Sequence, residues 1–134
     1  MKKGITILSL LILVAACDKP SGEGGTSSIE GKILVLEGFY NVFTQSFDTT
    51  ALYFSENEDV YIIYGSDSSS IYNDSFETSW DGTYRFDYLR KGNYVLYAYS
   101  DCDSCPSGKE PVFWEVTIDK NNQLYQISDQ VIRK

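Results

Sequence analysis

The chain contains no histidine. That absence removes Ser-His and Cys-His nucleophilic catalysis, imidazole metal sites and the ordinary proton shuttle near pH 7. Basic residues are scarce too. Eleven Lys and Arg stand against 19 Asp and Glu, for a formal charge of -8 and a pI near 4.4. Such a surface repels phosphate backbones and anionic headgroups, so no nucleic-acid partner is expected and membrane attachment needs something besides the surface. Beyond the first residues there is no amphipathic helical pattern, no internal repeat and no second domain, and nothing calls for a cofactor. What the chain has in quantity is aromatic: 11 Tyr, 7 Phe and 2 Trp. In an all-β chain most of these pack in the core or across strands, and the exposed remainder suits a binding surface.

The N-terminus carries the sharpest local signal. Lys2 and Lys3 precede an apolar run from Ile5 to Ala16 that is broken by Thr6 and Ser9, and Leu13-Val14-Ala15-Ala16 leads into Cys17. As a membrane-spanning helix the run is too short, since roughly 13 residues at ~1.5 Å each cover about 20 Å of a ~30 Å hydrocarbon core. A basic start, a short apolar stretch and small residues before a processing point make a secretory signal. Ending on cysteine, the whole resembles a bacterial lipoprotein signal. That resemblance implies removal of residues 1–16 and acylation of Cys17, which becomes the mature N-terminus. Several acyl chains, at about 0.8 kcal/mol per buried CH₂, would hold the protein on a membrane durably. Loss of Lys2 and Lys3 with the leader leaves the mature chain more acidic still. Asp18 resembles the inner-membrane retention signal of some enteric bacteria, but the rest of the chain resembles small lipoproteins of Bacteroides-like bacteria. The outer membrane is therefore the expected location.

Residues 17–28, ending DKPSGEGGTSS, are Gly- and Ser-rich and are expected to form a flexible tether. The domain is expected over 29–134. Strand patterns occur at Ile29–Leu36, Val60–Tyr64, Ser75–Trp80, Thr83–Tyr88, Tyr94–Ser100, Val112–Ile118 and Leu124–Ile132, with weaker ones at Asn41–Phe43 and Ala51–Phe54. Alternation places Tyr84, Phe86 and Tyr88 on one face, and Tyr94, Leu96 and Ala98 on one face of the next strand. Asp81-Gly82 and Gly92-Asn93 supply turns. Seven or eight short strands with turn chemistry between them argue an all-β antiparallel sandwich.

The run Thr78-Ser79-Trp80-Asp81-Gly82-Thr83-Tyr84-Arg85-Phe86-Asp87-Tyr88-Leu89-Arg90-Lys91-Gly92-Asn93-Tyr94-Val95-Leu96 resembles the T-x-x-x-G-x-Y/F-x-F-x-x-L-x-x-G-x-Y-x-L cadence of carboxypeptidase regulatory-like domains, in the transthyretin-related β-sandwich group. Gly31, in Ile-Glu-Gly-Lys-Ile, fits that group's opening strand, and Glu115–Ile118 extends the match to about half of the domain. The resemblance implies a fold, because the motif consists of packing and turn residues, and fold alone carries no activity. One enzymatic branch of the group works through histidines and a C-terminal tetrapeptide. This chain lacks histidine and ends Val131-Ile132-Arg133-Lys134, so that activity does not carry over.

Asp101-Cys102-Asp103-Ser104-Cys105 is the one constellation with chemical potential. A C-x-x-C can be a redox pair, half a zinc site, free thiols or a loop disulfide. Neighbouring acids raise thiol pKa, no further thiol or imidazole is there to complete a zinc site once Cys17 is acylated, and an envelope compartment is oxidising. A Cys102–Cys105 disulfide is the favoured reading. The acidic runs at Glu56–Asp59 and Asp101/Asp103 lack calcium-loop spacing and read as solvated turns. Trp80, beside the Asp81-Gly82 turn, with Tyr72, Tyr97 and Tyr99, is the candidate binding surface, whereas alternation places Trp114 in the core. These features together suggest a non-catalytic, lipid-anchored structural or protein-interaction module. Glycan or peptide binding through exposed Trp and Tyr is the alternative, and a carboxylate-dependent hydrolase comes last.

Overall fold

The computed structural model describes residues 19–134; Cys17 and the leader lie outside the described residues. Among these residues there are nine strands and no helix: β1 (Glu23–Asn41), β2 (Ser46–Phe54), β3 (Asp59–Tyr64), β4 (Asp74–Glu77), β5 (Thr83–Leu89), β6 (Gly92–Asp101), β7 (Lys109–Ile118), β8 (Leu124–Gln126) and β9 (Gln130–Arg133). They form two sheets. One has the order β2-β1-β5, with β8 and β9 also beside β1; the other has the order β4-β3-β6-β7. The all-β sandwich expected from the strand spacing is present. It has nine strands rather than seven or eight, and β8 and β9 run parallel to β1 while the remaining pairs are antiparallel.

β1 organises the first sheet because its 19 residues are long enough to serve two sets of neighbours. Its first part pairs with β5 and β8, and its second part pairs with β2 and β9. Period-two alternation turns Ser27, Ile29, Gly31, Ile33 and Val35 inward. There Ile29, Ile33 and Val35 join Val60, Ile62, Tyr84, Phe86, Tyr94, Leu96, Trp114, Val116 and Ile118 in one core drawn from both sheets. Gly31 sits where the Tyr84 ring crosses the strand: a Cβ there would lie 2.4 Å from Tyr84 Oη. Tyr84 Oη and Trp114 Nε1 are both buried without a partner at normal hydrogen-bond geometry. Burial pushes the Tyr84 phenol up to about 12, and the nearby indole N–H pulls against that rise.

Three local expectations need correction. The tether does not extend to residue 28, because β1 already starts at Glu23. The segment ahead of Ile29 is held by backbone groups rather than by apolar side chains. Arg90 N donates to Gly22 O at 2.8 Å, Ser28 N to Gln123 O at 2.9 Å, and Gly22 N to the buried Tyr94 Oη at 2.9 Å. The proposed strand at Asn41–Phe43 is instead the tip of the β1–β2 hairpin, where Asn41 Oδ1 accepts from Phe43 N at 3.0 Å. Tyr88 does not share the buried face of Tyr84 and Phe86. It takes a left-handed φ of 57°, is 75% exposed, and hands the inward position to Leu89.

Candidate functional site: an aromatic sheet face and a disulfide loop

β3 and β6 are apolar on both faces, and this sets them apart from the other strands. Val60, Ile62, Tyr94, Leu96 and Ala98 point into the sandwich. The alternate residues Ile63, Val95 and Tyr97, with Tyr61 packed on them, form a second apolar cluster. By strand alternation that cluster lies on the outside of the four-stranded sheet. Strand register lines up the rings, since Tyr61 is opposite Tyr97 and Tyr97 is opposite Phe113. Tyr61 and Tyr97 stack with centroids 4.9 Å apart and 19° between planes, and Tyr97 meets Phe113 at 5.3 Å. Tyr99, two residues along β6, sits edge-on to Tyr97 at 5.7 Å. From the loop before β4, Tyr72 leans onto Tyr61 at 4.7 Å. With strands ~4.8 Å apart, the three-strand row from Tyr61 to Phe113 spans roughly 10 Å, and Tyr72 extends it beyond β3.

The centre of this face is closed and its periphery open. Tyr97 is buried, whereas Tyr72, Tyr99 and Phe113 are each close to half exposed and Ile71, beside Tyr72, is 86% exposed. Burial, the largest cause, raises the pKa of both Tyr61 and Tyr97, and neighbouring phenols add to it. Acidic side chains flank the rings, with exposed Asp59 and Glu77 on one side and Glu115 on the other. Lys109 belongs to the same rim but is engaged with Asp101 at 2.6 Å. Rings in the middle and negative charge at the edge make a surface complementary to one with an apolar centre and a basic rim.

Tyr72, Tyr97 and Tyr99 are thus brought together as one surface. Trp80 is not part of it. It lies in the turn between β4 and β5, 82% exposed, next to the Asp81 that pairs with Lys32 of β1 at 3.5 Å. Sequence reasoning missed Tyr61, Phe113 and Ile71. A signal for the first was available: Val60-Tyr61-Ile62-Ile63-Tyr64 and Tyr94-Val95-Leu96-Tyr97-Ala98-Tyr99 are continuous apolar runs, the mark of strands covered on both faces.

Cys102 and Cys105 are joined by a disulfide with 5.4 Å between Cα atoms, in the loop that follows β6. The loop is tied further by Cys102 N to Gly108 O at 2.9 Å and Gly108 N to Cys105 O at 3.0 Å. Glu110 brings a carboxylate oxygen within 4.8 Å of both sulfurs, but these are committed to each other and not to an ion. Elsewhere, Glu58 is the buried carboxylate among the described residues. It accepts from Ser55 Oγ at 2.9 Å and pairs with Lys134. Thr78 Oγ1 closes the same knot by donating to Ser55 O at 2.7 Å and accepting from Glu58 N at 2.9 Å. These contacts join strand ends and engage the carboxylate in structural bonds.

No family model matches the chain, and no curated protein matches it. Among solved structures, a candidate carbohydrate binding protein from Pseudomonas aeruginosa aligns over 85% of this chain and 92% of its own, at 12% identity and a TM-score of 0.44. A likeness at that level leaves both the site and its ligand to be argued from this chain's own residues.

Proposed function

We propose that the protein is a non-catalytic interaction module of the cell envelope, anchored through acylated Cys17 and docking a protein partner on the outer face of the β4-β3-β6-β7 sheet. The observation that carries this reading is the aligned ring row, with Tyr72, Tyr99, Phe113 and Ile71 left open around the stack of buried Tyr97 on half-buried Tyr61. Tyrosine-rich centres with charge confined to the rim are the usual anatomy of docking surfaces, and large exposed rings in one place have no structural need to be exposed. The acidic rim selects a partner with basic residues around an apolar centre.

The test is affinity capture after crosslinking, with wild type, a Tyr99→Ala/Phe113→Ala double variant and Trp80→Ala compared from the same cells. The double variant should lose a stoichiometric partner by at least tenfold while Trp80→Ala retains it. Equal capture by all three forms would place the interface elsewhere. Anchoring has its own check. Cys17→Ser should abolish incorporation of labelled fatty acid and release the protein from the membrane fraction; retained label would remove the anchor from the account. Glycan binding draws its support from a different surface, the cleft beside the disulfide loop.

A further inference from the structure

The β1–β2 hairpin projects past the sheets and carries Phe39, Tyr40 and Val42, which are 55%, 48% and 69% exposed. These side chains serve no core. Across from them stands the Cys102–Cys105 loop, and Arg133 of β9 lies between the two. A cleft of about 440 Å³ runs along the hairpin, and a second of about 390 Å³ adjoins it under the loop; Tyr40, Asp103 and Arg133 line both. Each volume is within the range of small-ligand sites.

Both walls and the floor are fixed before any ligand arrives. Asn41 ties the hairpin tip, accepting from Phe43 N at 3.0 Å and donating to Asp48 at 2.9 Å. The disulfide and its two backbone hydrogen bonds hold the opposite wall. Arg133 donates its backbone N–H to Ser100 Oγ at 2.9 Å, and its guanidinium lies 5.1 Å from the Phe47 ring centroid. That guanidinium makes no ion pair among the described residues, although Asp101 nearby is paired with Lys109 and Glu58 with Lys134.

We infer that this cleft binds a neutral oligosaccharide, with a sugar ring laid on Tyr40 and its hydroxyls shared between Arg133 and Asp103. A pyranose has an apolar C–H face and a perimeter of hydroxyls that both donate and accept. The cleft offers the matching pair of surfaces, aromatic on the hairpin side and mixed donor and acceptor on the loop side. An anionic sugar would meet one unpaired cation, Arg133, against two exposed acids, Asp103 and Glu110, on a chain of net charge -8. A wholly apolar ligand would strip water from all three charged groups without replacing it. The site is separate from the tyrosine face, so the two can be occupied together.

The experiment is an amide NMR titration of the full-length protein in detergent with maltohexaose, mannohexaose and chitohexaose, with hexagalacturonate as the anionic control. At least one neutral hexasaccharide should give saturable shifts centred on Tyr40, Asp103, Ser104 and Arg133. Tyr40→Ala and Asp103→Asn should each weaken it at least tenfold with an unchanged melting temperature, and Tyr99→Ala should leave it untouched. The inference is overturned if no neutral hexasaccharide saturates, if shifts centre on Tyr99 and Phe113, or if hexagalacturonate binds more tightly. Loss of binding here with partner capture intact would separate this failure from that of the docking reading.

Discussion

At Gly31 a single methyl group decides whether the core closes. The Tyr84 ring lies against the bare Cα of β1, and it is fully buried, so it has nowhere to swing. Gly31→Ala should therefore destabilise the domain by about 1–3 kcal/mol through overpacking, read as a lower midpoint in urea with an unchanged slope. The same tyrosine sets the behaviour at high pH. Tyr84 and Tyr64 are both pushed up to about 12, principally by burial, from an ordinary value of 10.0. A phenol whose folded pKa is raised contributes stability that is complete below pH 10 and is lost as pH rises towards 12. Absorbance titration of the phenolates should show a late-titrating group, since burial also raises Tyr61, Tyr94 and Tyr97, with Tyr84 and Tyr64 last and unfolding as they ionise. Titration of all 11 in one step near pH 10, with the fold intact, would contradict this assignment.

The lessons of legibility belong to the strands. Where one face is apolar and the other polar, as along β7, alternation alone placed Trp114, Val116 and Ile118 inside. At Tyr88 alternation failed because the backbone, not the side-chain pattern, changes hand there, and β1 loses register opposite Leu89. The segment ahead of Ile29 misled for a related reason. Its Gly and Ser residues have no apolar side chains to signal burial, yet their smallness permits the contact. A Cβ on Gly25 would lie 2.1 Å from Leu89 O, and Ser27 is buried with Oγ donating to Lys120 O at 2.7 Å. Tyr94 clamps this segment, its hydroxyl donating to Arg90 O at 2.6 Å and accepting from Gly22 N at 2.9 Å. Tyr94→Phe should cost about 1–2 kcal/mol and speed hydrogen exchange at Gly22 and Arg90 well beyond its effect on β6. A uniform acceleration would mean that the clamp is not local.

At the scale of the whole molecule, the distinctive features are separated by position. One sandwich face carries stacked tyrosines, one end carries a braced cleft, and the N-terminal segment is sewn to the domain from residue 20, where Pro20 O accepts from Arg90 Nε at 2.9 Å. If acylated Cys17 anchors the chain as proposed, the domain rides closer to the bilayer than a tether running to residue 28 would allow. The candidate site was half legible at this scale. Tyr72, Tyr97 and Tyr99 could be named from composition and exposure, but the partnership of Tyr61 and Phe113 depends on strand register, which links residues 36 and 16 positions away from Tyr97 only after folding. The central claim is that the tyrosine face is the docking surface, and the most direct measurement is photocrosslinking in living cells. Benzoylphenylalanine would replace Tyr99, Phe113 or Trp80 in turn. The account predicts one discrete adduct of the same mass from positions 99 and 113 and none from position 80. Adducts absent from 99 and 113, or equally strong from 80, would contradict it.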